Sequence, residues 1–312
     1  MARLVLTRLA GLLLTLLVAS VVIYGALYLA PGDPSTLLAG NKATPRTLES
    51  IREQWHLDDP FYERYWAWLS GAVRGDLGES FTYKQSVGSL ISDRIGTTTL
   101  LIAYAFALVL VGGVLLGIVG ALRPRAGAGI TAVSSVGIAV PSYVAAIVLI
   151  TVFAVELGWF PVFGDGTGFL DRLWHLTLPA IALALAWNAY VAQLTKAAVH
   201  EESLRDHVAT ARSRGVAEGA IVRRHIVRNA LIPITTVLGI TIAGLVAGTV
   251  VIEQSFNLNG IGSLLVQATS SKDFALVQGI SLLLVTIFVV VNVGVDLLNA
   301  ALDPRLRTER RP

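Results

Sequence analysis

Charged side chains are missing from six long stretches of this chain: residues 9–32, 95–122, 126–155, 173–195, 229–252 and 274–295. Each exceeds the roughly 20 residues with which an α-helix crosses about 30 Å of hydrocarbon. The pattern predicts six membrane-spanning helices. A seventh uncharged run, 254–271, is interrupted by Asn257, Asn259, Gly260, Gly262 and Gln267, a content that predicts a loop or re-entrant segment. The first stretch follows Arg3 and Arg8, as a secretory leader would, but it is longer than the ~7–15 apolar residues of a leader core and has no clear small-x-small cleavage site after it. An uncleaved anchor over 1–30 is expected.

Between the first two spans lies an insert, 31–94, too long and too patterned for a linker. Leu48, Ile51, Trp55 and Leu57, then Phe61, Tyr65, Trp66, Trp68 and Leu69, recur at helix-like spacing with charges between them. Pro60, Gly71, Gly75 and Gly78 punctuate the rest. Two short helices and an irregular tail are predicted. Trp55, Trp66 and Trp68 are expected mainly to pack a small core of the insert itself, and an aromatic belt at the membrane surface is the competing use. The core of the protein is then 95–303, with a basic loop over 200–228, and 304–312 form a tail.

Composition agrees with the spans: 54% of residues are hydrophobic and only 14% charged, against about a quarter charged in soluble domains. The distribution of Lys and Arg orients the chain. Arg123, Arg125, Lys196, Arg205, Arg212, Arg214, Arg223, Arg224, Arg228 and the C-terminal arginines fall on one side, while Glu156, Asp165, Asp171, Glu253 and Asp273 fall on the other. Short cytoplasmic segments accumulate Lys and Arg, so both termini are expected in the cytoplasm and the insert outside. The net charge of +3 is thus topological and gives no reason to expect nucleic acid. With no cysteine, disulfides and thiolate metal sites are excluded.

Glycines inside the spans, Gly112, Gly113, Gly117 and Gly120, and again Gly239, Gly244 and Gly248, suit close helix packing, including packing on a second membrane subunit. The most informative stretch is the basic loop. Leu204, Val208 and Ala211 fall at i, i+4, i+7 as one narrow apolar stripe, with Arg205 and Arg212 on another face. Gly215 is placed to end the first helix with positive φ. A second basic helix then leads to Pro233. The result is a compact helix–turn–helix below the bilayer, able to carry a rigid-body push from a soluble partner into span five; a loop that serves topology alone is the simpler alternative.

The stretch Asp206-His207-Val208-Ala209-Thr210-Ala211-Arg212-Ser213-Arg214-Gly215, followed by His225 and Arg228-Asn229-Ala230-Leu231-Ile232-Pro233, resembles the cytoplasmic signature loop of permease subunits of the dipeptide/oligopeptide/nickel-type ABC importer family. His207 stands where that family usually has an aromatic. The resemblance extends along nearly the whole chain: Pro31-Gly32-Asp33-Pro34, Leu57-Asp58-Asp59-Pro60, Gly75-Asp76-Leu77-Gly78, Pro141-Ser142, Leu157-Gly158-Trp159-Phe160-Pro161, His175-Leu176 with Leu178-Pro179-Ala180, Glu253 and Phe256 with Gly260-Ile261-Gly262, and Asp296-Leu297-Leu298 with Leu302-Asp303-Pro304-Arg305. Asn259 and Asn299 replace the usual proline and tyrosine.

What the resemblance implies is an all-α polytopic membrane protein with six spans in the type I ABC importer transmembrane fold, sited in the bacterial cytoplasmic membrane. Its partners would be a second homologous permease, two ATP-binding subunits, an extracytoplasmic solute-binding protein and the lipid bilayer. Leu204, Arg205, Asp206, Val208, Ala211, Arg212 and Gly215 would couple it to the ATPases. Peptides are the expected solute, with nickel, glutathione or another small solute as alternatives. Ser142 and Tyr143 in span three, and Asn188 and Gln193 in span four, are candidates to line a polar pathway. The sequence holds no phosphate loop, no H-E-x-x-H and no G-x-S-x-G, so no catalytic residue, cofactor or metal is expected, and ATP and Mg would be bound by the partner ATPases. His200 and His207, seven apart, lack a third ligand at closing distance. Asp296, with Asn292 and Asn299 on its face, is expected to pair with a loop arginine. An ATP-independent channel or an intramembrane enzyme is the competing class; the first leaves the loop unexplained and the second has no candidate residues.

Overall fold

A computed structural model of the chain describes residues 2–29, 35, 44–54 and 58–302. The described residues are almost entirely helical; their only bridge outside helices pairs Glu79 with Ser86. In chain order the elements are α1 (Ala2–Tyr28), α2 (Pro45–Gln54), α3 (Phe61–Val73), α4 (Val87–Leu122), α5 (Pro124–Ala139), α6 (Ser142–Glu156), α7 (Phe169–Ser203), α8 (Asp206–Ser213), α9 (Glu218–Ser255), α10 (Ile261–Ser270) and α11 (Phe274–Leu302). The motifs at Pro31–Pro34, at Asp303–Arg305, and Trp55 and Leu57 lie outside the described residues, as does the side chain of Asp296.

Five helices, α1, α4, α7, α9 and α11, are long and apolar enough to cross a membrane. α5 and α6, bent by 100° at the break between them, are together long and apolar enough for a sixth. The cause of the bend is local. Pro141 has no N–H and disfavours helical backbone at the residue before it, and Val140 is accordingly extended, φ −79°, ψ 117°. An uninterrupted apolar run hides this break.

α7 is the central element, the most buried of the spans, and it packs on α4, α5, α6 and α9. The close approach is made by small residues. A Cβ on Gly117 of α4 would stand 2.4 Å from the Cβ of Thr195 on α7, and one on Gly244 of α9 would enter the Trp187 ring. Both glycine stripes are therefore spent inside this chain rather than on a second subunit, where the sequence pattern also allowed them. α1 lies to the side against α11, with most of its apolar surface exposed.

Within the described part of the insert, α3 packs on α1. Phe61, Tyr65 and Trp68 of α3 pack around Tyr24 of α1, each with ring centroids 5.5 Å from it, and Ser20 Oγ and Tyr65 OH share a hydrogen bond at 2.9 Å. Trp66, expected inside, is turned out. The reason is register: Phe61, Tyr65 and Trp68 follow i, i+4, i+7, and Trp66 falls off that face.

Candidate functional site

α7 stops at Ser203, Leu204 caps it in helical geometry, and Arg205 is extended at φ −70°, ψ 147°. α8 restarts at Asp206, whose carboxylate lies in the first turn, the favourable end of the helix dipole. It closes at Gly215, φ +74°, with Gly215 N donating to Arg212 O at 3.0 Å and Val216 N to Ala211 O at 3.2 Å. A Cβ at Gly215 would meet nothing within 4 Å, so only the left-handed backbone asks for glycine here.

The expected apolar stripe is split. Val208 and Ala211 are buried, in one cluster with Val199, Ile221 and Ile226, so they hold α8 against α7 and α9 instead of facing a partner. Leu204 alone points out, 73% exposed. The arginines brace the loop from outside. Arg212 makes a forked contact to Glu218, Nη2 to Oε1 at 2.7 Å and Nε to Oε2 at 3.2 Å, the paired geometry favoured between guanidinium and carboxylate. That bond pushes the Arg212 guanidinium still further toward its charged form. Arg205 Nη2 donates to Glu201 Oε1 at 2.9 Å. Asn229 Nδ2 donates to Glu202 Oε1 at 3.1 Å and to His225 O at 2.8 Å, and His207 Nε2 lies 3.4 Å from the same Glu202 oxygen. The His207 position thus holds a polar cluster together. Among the described residues no group of three or more His, Cys, Asp or Glu is arranged to hold a metal ion.

The four candidates for a polar pathway go different ways. Gln193 Nε2 donates to Ser135 Oγ on α5 at 3.3 Å. Asn188 faces α4, where a Cβ on Gly112 would stand 2.6 Å from its Oδ1, and that buried oxygen meets no donor among the described residues. Gly112 lies in a π-turn, Val109–Gly113, a distortion common at functional positions. Ser142 is half-buried at the start of α6, and Tyr143 is exposed.

At the opposite end of the bundle from α8, carboxylates that the sequence marked for topology, and in Glu253 also as part of a motif, do structural work. Glu253, 0% exposed, accepts from Thr98 Oγ1 at 2.6 Å and from Ser263 N at 2.9 Å. Thr98 Oγ1 in turn accepts from Ile261 N at 2.8 Å. Glu253 of α9 and Thr98 of α4 thereby receive the first turn of α10, the helix formed by the uncharged run 254–271. The glycines of the motif are explained: a Cβ on Gly260 would overlap the Glu253 carboxylate and one on Gly262 would strike the Val250 backbone. Asp165 joins the same corner, accepting from Asn259 N at 2.9 Å and Thr97 Oγ1 at 3.3 Å. Asp273 caps α11 through Leu276 N at 3.3 Å and ties the insert down through Ser80 Oγ at 2.6 Å and Thr82 N at 3.0 Å. An acid directly before an apolar run is a helix-start signal, and it could have identified Asp273.

Residues 113–308 match the family described as binding-protein-dependent transport system inner membrane component, and residues 1–102 match its N-terminal counterpart. A protein of Brucella abortus (strain 2308) named as a peptide transport system permease is 39% identical, covering 98% of this chain and 99% of its own. The glutathione transport system permease protein GsiC of Escherichia coli (strain K12) is 35% identical over the same shares. Among solved structures, the inward-facing MetNI methionine ABC transporter superposes with a TM-score of 0.51 at 18% identity, covering 69% of this chain and 96% of that one, a likeness of fold. Six spans, the basic loop and these matches along nearly the whole length lead to one conclusion: the chain belongs to the binding-protein-dependent transport system inner membrane components, as a permease subunit.

Proposed function

We propose that this permease works in an ATP-driven importer of peptides, delivered from outside by a solute-binding protein. A second homologous permease would complete the translocation path, and two ATP-binding subunits, carrying ATP and Mg, would supply the energy. The chain would sit in a bacterial cytoplasmic membrane with both termini and α8 on the cytoplasmic side, the insert 31–94 and α10 outside. The observation that carries this reading is the braced turn of α8. It is closed by Gly215 and the Arg212–Glu218 fork, anchored by Val208 and Ala211, and joined to α9 by only the four residues 214–217. An element fixed so firmly to two spans transmits displacement rather than absorbing it, and it offers Leu204, Arg205, Asp206 and Arg214 at its surface.

Closure of the ATPases would press on that surface and shift the spans between two states of access, as a rigid-body transition requires. The peptide assignment draws on the Brucella relative's name and ranks ahead of glutathione, nickel or another small solute. Vesicles containing the permease with its partner subunits and binding protein test both points. Labelled dipeptides should accumulate only with ATP inside. Accumulation without nucleotide would favour a channel, and uptake of glutathione or nickel alone would overturn the peptide reading.

A further inference from the structure

Where α7, α8 and α9 meet, one carboxylate holds the three together. Glu202 Oε1, at the end of α7, accepts from Asn229 Nδ2 of α9 at 3.1 Å and lies 3.4 Å from His207 Nε2 of α8. The Glu202 side chain is only 17% exposed. Asn229 has two amide hydrogens, and both are spent, one on Glu202 and one on His225 O at 2.8 Å. It has none left for His207 Nε2, 3.4 Å away. The contact between His207 and Glu202 therefore depends on whether Nε2 itself carries a proton. In the imidazolium both ring nitrogens do, and the contact is a charge-assisted hydrogen bond. In the neutral ring the one proton is free to sit on Nδ1, and two lone pairs then face each other.

The other charges around His207 set the balance. Asp206 precedes it on α8, and the His225 ring of α9 lies 6.1 Å away between centroids. Arg205 is already engaged, with Glu201 at 2.9 Å and with Glu202 Oε2 at 3.8 Å. On α9, Arg224 and Arg228 flank His225 and Asn229, but both are exposed, so water and salt screen them. Glu202, close and sheltered, is the charge that decides the state of the contact. His207 itself keeps 41% of its side chain in the open, within reach of protons on that side of the membrane.

We propose that His207 is a positioning residue that makes the loop sensitive to pH on the α8 side of the membrane, an inference that rests on the coupling role proposed above for α8. The charged ring ties the first turn of α8 to the end of α7 and, through Glu202 and Asn229, to the start of α9. The tie is present in full while the ring is charged. It is lost as the pH rises through the range in which histidine changes charge, about pH 5 to 8. A tighter loop passes on more of each ATPase stroke, so more solute moves per ATP on the acid side of that range.

The test counts labelled dipeptide taken up per ATP hydrolysed, in vesicles carrying the permease with its ATPases and binding protein. Only the pH on the ATPase side is varied, from about 6 to about 8. Taking the ratio removes the pH dependence of hydrolysis itself. In the unaltered protein the ratio should fall about threefold across that range, the order that a partly exposed ion pair supplies. His207→Gln, whose amide donates at every pH, should flatten the profile, and Glu202→Gln, which removes the anion, should flatten it independently. A flat profile in the unaltered protein, or the same slope in His207→Gln, would overturn this inference while ATP-driven uptake leaves the importer reading standing. Absence of ATP-driven uptake at every pH would sink that reading and this inference with it.

Discussion

Glu253 and Gly215 are single residues whose roles follow from opposite physics. Glu253 is a dry carboxylate held by donors, so its removal leaves those donors without partners. Glu253→Ala should cost about 1–3 kcal/mol for each buried donor orphaned, read as a drop in the thermal midpoint of the purified assembly, with Glu253→Gln falling between. An unchanged midpoint in the alanine variant would show that the corner is solvated. Gly215 fails in a different way. Its surroundings are open and only its backbone is demanding, so Gly215→Val should cost roughly 1–2 kcal/mol through left-handed strain, whereas Gly215→Asn, which tolerates that region, should cost far less. Thermal midpoints of the two variants check the order; equal loss in both would mean that space, not φ, selects glycine here.

Among the elements, the spans were the most legible part of the sequence, because charge is nearly intolerable in hydrocarbon and its absence marks each crossing. The bend between α5 and α6 was not, since Val140 and Pro141 are apolar and the run continues across them. The α8 stripe misled for a related reason. Leu204 belongs to the end of α7, and the extended Arg205 resets the helical phase, so i, i+4, i+7 spacing counted from Leu204 does not describe one face. The motif around Glu253 was recognisable as a pattern, but its work, receiving the first turn of α10, depends on Thr98 far away in the chain and has no local signal. The glycine stripes make a prediction at this scale. Gly117→Val would force α4 off Thr195 and the Ala192 carbonyl, whereas Gly129→Val meets nothing. Membrane levels of the first should fall sharply and those of the second stay near normal; equal levels of both would contradict the packing of α4 on α7.

For the molecule as a whole, the two ends of the bundle differ in chemistry. One gathers the basic loop with α8, the other the buried acids, the insert and α10, and the proposed orientation puts the first in the cytoplasm. Because the chain lacks cysteine, single cysteines at Thr82 and Ser213, both exposed, should react with impermeant reagents from opposite sides of the membrane; reaction from the same side would refute the orientation. Coupling is the central claim, and it now rests on the outward surface of the braced loop. Leu204 contributes little to the fold yet presents a large apolar side chain beside Arg205 and Asp206. The most direct measurement is peptide uptake by vesicles carrying the permease, its ATPases and its binding protein, with Leu204→Glu in place of the unaltered chain. Uptake should fall at least tenfold while the permease remains at full level in the membrane and ATP hydrolysis is either lost or uncoupled from transport. Uptake equal to that of the unaltered chain would contradict the account and leave the loop a topological anchor.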